Sequence, residues 1–140
     1  MIRNASVLYP AACQLGESPY WHTERQSCFW ADIEGCSIYE YKWTEKKLQQ
    51  WQLPNRVSLI VQGKNNEIVL GLQGGLQKFD PDSGNLSLIT DLDKNWQLQR
   101  FNDGACDSMG RLWIGTMQLD QQPASGSLYC ISKKNKVQKK

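Results

Sequence analysis

The 140-residue chain contains no apolar run approaching the roughly 20 residues that a bilayer-spanning helix requires. Met1-Ile2-Arg3-Asn4 leads into no hydrophobic signal core, so neither membrane insertion nor secretion is expected. Histidine is nearly absent: His22 is the single one, in a polar stretch with no second histidine or acid at ligand spacing. Histidine-based catalysis is thereby excluded, and His22 reads as a structural residue of an exposed turn. The five cysteines, Cys13, Cys28, Cys36, Cys106 and Cys130, are odd in number and form no CxxC pair. A disulfide framework or zinc knuckle is not expected, and buried thiols in a cytoplasmic protein are the simpler account. Charge of one sign is also lacking. A net +2 gives no electrostatic footprint for nucleic acid or an acidic membrane. Lys133, Lys134, Lys136, Lys139 and Lys140 read as a solvated face or a frayed end.

What the chain does contain is short strands and turns. Ala5 to Tyr9 is a short strand candidate ended by Pro10. Cys28 to Ile33 is an apolar run of strand length, Glu34-Gly35 a tight turn, Ser37 to Tyr41 an alternating half-buried strand, and Leu48 to Leu53 another, closed by Pro54. The pattern restarts with Val57 to Val61, Ile68 to Leu72, Leu76 to Phe79 and Leu86 to Ile89, separated by Gly, Asn and Asp-Pro turns. A third round comprises Gly104 to Asp107, Arg111 to Thr116, an insertion from Gln118 to Ser125, Ser127 to Ile131, and a fragment near Val137.

Superposing the rounds aligns Trp30, Val69 and Trp113, about 39 and 44 residues apart. Four short strands per unit at that period predict an all-β propeller with blades near 17–54, 57–91 and 100–140. A blade alone leaves both sheet faces bare, so stability has to come from stacking on its neighbours.

Two stretches carry candidate chemistry. In Arg100-Phe101-Asn102-Asp103-Gly104 the arginine and asparagine are two residues apart, so an extended backbone puts both on one face and turns Phe101 into packing. A guanidinium fork beside a carboxamide suits a polyol or a carboxylate. The plainer reading is a turn, with Arg100 paired to Asp91 or Asp93 on the surface. In Gln14-Leu15-Gly16-Glu17-Ser18-Pro19, glycine and proline frame one acid in a turn, a candidate ligand for a hard cation that prefers oxygen donors. Taken alone, Glu17 reads first as a surface turn residue.

Four motifs in order, Leu15-Gly16-Glu17-Ser18-Pro19 with Trp21, Phe29-Trp30-Ala31-Asp32-Ile33, Arg100 to Gly104, and Trp113-Ile114-Gly115-Thr116-Met117, together resemble the SMP-30/gluconolactonase family of regucalcin-like proteins. The resemblance runs from about Gly16 to Cys130. It implies a six-bladed propeller with one divalent cation (calcium, zinc, magnesium or manganese) in a central channel, and a hydrolase that opens sugar lactones. It carries Glu17 onto the first blade's metal ligand, Arg100 and Asn102 onto contacts with the substrate hydroxyls, and Asp120 near an acidic substrate-binding position. Family members are roughly twice as long. Their other metal ligands, an asparagine and an aspartate, come from later blades, as does the acid/base aspartate, so no catalytic residue is assigned within this chain.

The resemblance therefore predicts the N-terminal half of a propeller, with Ala5 to Tyr9 as a candidate closing strand. Its bare flanks and unpaired edge would favour self-association or a C-terminal half that completes the ring. A non-catalytic binding propeller, or an inactive truncated or assembling half, are the alternative expectations.

Overall fold

The computed structural model describes residues 4–92, 96–120 and 125–140. Twelve strands form three four-stranded antiparallel sheets, each a simple meander, stacked as blades of a β-propeller. Blade one comprises β1 (Gly16–His22), β2 (Ser27–Asp32), β3 (Ser37–Lys42) and β4 (Lys47–Gln52). Blade two comprises β5 (Val57–Gln62), β6 (Ile68–Leu72), β7 (Gly75–Phe79) and β8 (Leu86–Asp91). Blade three comprises β9 (Gln99–Cys106), β10 (Leu112–Gln118), β11 (Leu128–Ile131) and β12 (Val137–Lys139). Trp30, Val69 and Trp113 do lie on the second strand of successive blades.

The hydrophobic core lies between the blades. Phe29, Ala31 and Ile38 of blade one pack on Val57, Ile60, Leu70 and Phe79 of blade two. On the opposite face, Leu59, Val69 and Leu76 meet Phe101, Leu112, Ile114 and Tyr129 of blade three. β6 is therefore buried on both faces, which is why Ile68 to Leu72 reads as a continuous apolar run rather than an alternating one.

The first strand of each blade occupies its inner edge, and β1, β5 and β9 run side by side. Each carries a register shift against its neighbour, between Glu17 and Tyr20, between Val57 and Leu59, and in β9 opposite the interval from Ile114 to Thr116. Such bulges re-aim side chains and bend an edge. They fall on the stretches that carry the polar candidates.

Several local expectations are corrected. Glu17 is not in a turn but in β1, where Ser18 takes the left-handed conformation (φ 54°) at the bulge. His22 is not exposed: at 5% accessibility it closes β1, accepts a bond from the Arg25 amide through Nδ1 and meets the Asn66 carbonyl through Nε2 at 2.9 Å. That contact joins blade one to blade two. Ala5 to Tyr9 forms no strand and is exposed. β9 starts at Gln99, not Gly104, and so takes in Arg100 and Asn102, which agrees with the extended reading of that pair. All five cysteines are free thiols, but only Cys130 is buried and Cys106 is exposed. Residues 121–124 of the insertion, and Asp93, lie outside the described residues. Among the described residues no helix is long and apolar enough to cross a membrane, which does not bear on membrane β-barrels.

Candidate functional site

β1, β5 and β9 together wall a cavity of about 280 Å³ lined by Leu15, Glu17, Ser18, Ile33, Ser58, Arg100, Asn102 and Asp103. Glu17, Arg100 and Asn102 thus meet at one place although more than 80 residues separate the first from the second. Asp120 is not part of this lining; it is exposed in the turn beyond β10.

Asp32, buried at the end of β2, anchors the Glu17 side of the cavity. Its carboxylate accepts the amides of Gln14, Leu15 and Gly35 at 3.0, 3.0 and 3.1 Å, pinning the backbone that leads into Glu17. Burial pushes the Asp32 carboxyl up, and the three amides outweigh that, holding it below the ordinary carboxylate range. The approach is close enough that a Cβ on Gly35 would stand 2.4 Å from Asp32 Oδ2, so this turn needs glycine. Ser18 ties the same strand to the next blade, its Oγ accepting the Ile60 amide at 2.7 Å.

On the β9 side, Phe101 is buried among Leu59, Ile114 and their neighbours, while Arg100 and Asn102 face the cavity. That is the two-residue alternation expected of a strand. Arg100 Nη1 donates to the Phe101 carbonyl at 2.8 Å, and its Nε stands 4.0 Å from Glu34 Oε1. Glu34 is thus the carboxylate beside Arg100, in place of the Asp91 considered from sequence. Its other oxygen takes Arg56 at 2.9 Å through both Nε and Nη2, so Glu34 spans two guanidinium groups from adjacent blades.

One lining residue, Ser58, lies outside the candidate stretches and family motifs read from sequence. A signal for Ser58 was available. The ladders pair Ile60 with Leu70 in blade two and Gly104 with Ile114 in blade three, and the following shifts put Arg56-Val57-Ser58 where the next blade has Arg100-Phe101-Asn102. Val57 and Phe101 are the buried central residues of the two triplets. The repeat is visible as arginine, apolar, small polar, but only once the blades are aligned by strand register.

Chemically, the cavity offers two carboxylates, a carboxamide, two hydroxyls and a guanidinium. Among the described residues no three His, Cys, Asp or Glu side chains gather as a ready metal cluster. The donors on the lining are all oxygens apart from nitrogen groups that cannot ligate while protonated or amidic, a donor set compatible with a hard cation. Polyol binding is served equally, because carboxylates accept, guanidinium donates, and amide and hydroxyl do both.

Residues 15–140 match the SMP-30/gluconolactonase/LRE-like region. The chain is 28% identical over 131 residues to an L-arabinolactonase of Azospirillum brasilense, covering 91% of this chain and 43% of that protein. It is 27% identical over 135 residues to regucalcin of Oryctolagus cuniculus, covering 93% and 45%. In three dimensions it resembles the crystal structure of a calcium-binding regucalcin from Agrobacterium tumefaciens, with TM-score 0.87 and 28% identity over 95% of this chain and 45% of the other. The chain spans about half the length of the curated relatives it matches.

Proposed function

Since this chain belongs to the SMP-30/gluconolactonase/LRE-like family, we propose that it takes part in metal-assisted hydrolysis of a sugar lactone, acting within a complete propeller ring. The observation that carries the reading is the convergence of Glu17, Arg100 and Asn102 on one axial cavity. Relatives named as lactonases supply the reaction class.

In this reading Glu17 holds a divalent cation, with calcium, zinc, magnesium or manganese all compatible with oxygen ligands. When bound, such an ion polarises a carbonyl and lowers the pKa of a coordinated water. Arg100 and Asn102 do the positioning. The guanidinium, already held by the Phe101 carbonyl and facing Glu34, donates to lactone hydroxyls, and the Asn102 amide both donates and accepts. Holding the sugar in one attack geometry can lower the barrier by about 7–11 kcal/mol at the upper limit of such effects. Asp120, which lies outside this lining in the turn beyond β10, keeps a secondary substrate contact only on the family resemblance. The remaining cation ligands and the proton-transfer group would come from the part of the ring outside this chain, supplied by a C-terminal half or by an associated chain.

The test is lactone hydrolysis followed by pH-stat, with and without added calcium, on the chain alone and after joining it to the C-terminal half of a relative. The joined protein is expected to bind calcium by calorimetry and to open the lactone, and Glu17→Ala to abolish both. A ring that binds no cation and opens no lactone would instead identify a binding propeller without chemistry. Gel filtration of the chain alone distinguishes an assembling half from a monomer.

A further inference from the structure

Ser58 is the one fully enclosed polar side chain on the axial cavity. Its accessibility is 2%, and its Oγ finds no hydrogen-bond partner among the described residues. A buried hydroxyl left unpaired is costly, so an orphan of this kind calls for a partner. Ser18, on the same wall, is by contrast already engaged by the Ile60 amide. Ser58 also sits at the bulge of β5, at the register position that Asn102 occupies in β9.

We propose that Ser58, its Oγ turning from its enclosed position toward the cavity that the residue lines, is a specificity-determining contact for a hydroxyl of the bound polyol ring. This deepens, and rests on, the reading of the cavity as a sugar-lactone site. A hydroxyl both donates and accepts, which matches a sugar hydroxyl, whereas a divalent cation draws its ligands first from carboxylates such as that of Glu17. A site holding a buried polar group for a substrate hydroxyl rejects an analogue without it, because the protein group is then left unpaired. The orphan Ser58 thus makes the empty or mismatched cavity the less favourable state.

The experiment compares the joined ring with its Ser58→Ala and Ser58→Thr variants on glucono-δ-lactone and on δ-valerolactone, the same ring without hydroxyls, and titrates each protein with gluconate by calorimetry. Ser58→Ala is expected to raise KM for glucono-δ-lactone and weaken gluconate binding about tenfold, the size of one lost hydrogen bond. kcat, δ-valerolactone hydrolysis and calcium affinity should stay unchanged, and Ser58→Thr should recover most of the loss. The melting temperature should not fall, since the hydroxyl removed has no partner in the protein. Equal losses on both lactones, or none, would overturn the assignment while leaving the lactonase reading intact. Gluconate binding that depends on Ser58 without lactone opening would uphold the contact and overturn the hydrolase reading. A joined ring that neither binds nor hydrolyses would overturn both.

Discussion

Leu76 and Leu128 occupy the same place in successive blades, each on the third strand opposite a second-strand glycine, Gly71 and Gly115 respectively. Leu76 is 3% exposed and Leu128 is 44% exposed. The glycines repeat the contrast. A Cβ on Gly71 would come within 3.0 Å of Leu59 and 3.2 Å of Ile114, whereas one on Gly115 would meet only the Asp103 carbonyl at 3.9 Å. The sequence at these places is alike, and the environments differ because blade three covers one and no described residue covers the other. In a propeller, burial is conferred on a blade by the next blade, not by its own sequence.

The sharpest way to break this comparison is truncation of the two leucines. Leu76→Ala should cost about 2–5 kcal/mol in urea unfolding, and Leu128→Ala less than about 0.5 kcal/mol. Equal costs would mean that the outer flank of blade three is covered in solution. Gly71→Ala comes next, expected to destabilise by about 1–3 kcal/mol because the methyl must displace Leu59 and Ile114 packed between two sheets. Gly115→Ala should be nearly silent in the chain alone, and would become costly on completion of the ring if a further blade packs there.

The blade-one residue at that same second-strand place is Asp32, and its substitution gives a smaller, pH-dependent effect. The folded protein holds the Asp32 carboxyl below its ordinary value, so its contribution is present above the unfolded carboxylate pKa of about 3.9 and is lost as pH falls through the lower folded value. Asp32→Asn should cost about 1 kcal/mol near pH 7, since an amide nitrogen cannot accept the Gln14 bond. Below pH 4 the gap to wild type should close in urea titrations, and a gap that persists would contradict the amide clamp.

The repeat of four short strands was legible because turn residues and apolar runs are local signals, and the shared period carried the propeller. Ile68 to Leu72 could be recognised as buried because its apolar run is unbroken, as a strand covered on both faces requires. Misreadings occurred where a distant neighbour decides the outcome. Glu17-Ser18-Pro19 has the composition of a turn, yet a bulge lets it run on as strand beside β5. His22 has polar neighbours in sequence, but Asn66 of the next blade covers it. At the cavity, Arg100 and Asn102 were readable from their spacing together with the family motif. Ser58 was not, because one hydroxyl in an apolar strand gives no local sign of facing an axis.

The bonds from the Ile60 amide to Ser18 and between His22 and the Asn66 carbonyl tether the first two sheets near opposite ends of β1. Two separated tethers fix a hinge angle where one would leave a swivel. Sliding either module past the other would break both bonds, so together they oppose a change in relative orientation. The wall bearing the Glu17 carboxylate is thereby held in constant alignment with the wall bearing the Ser58 hydroxyl.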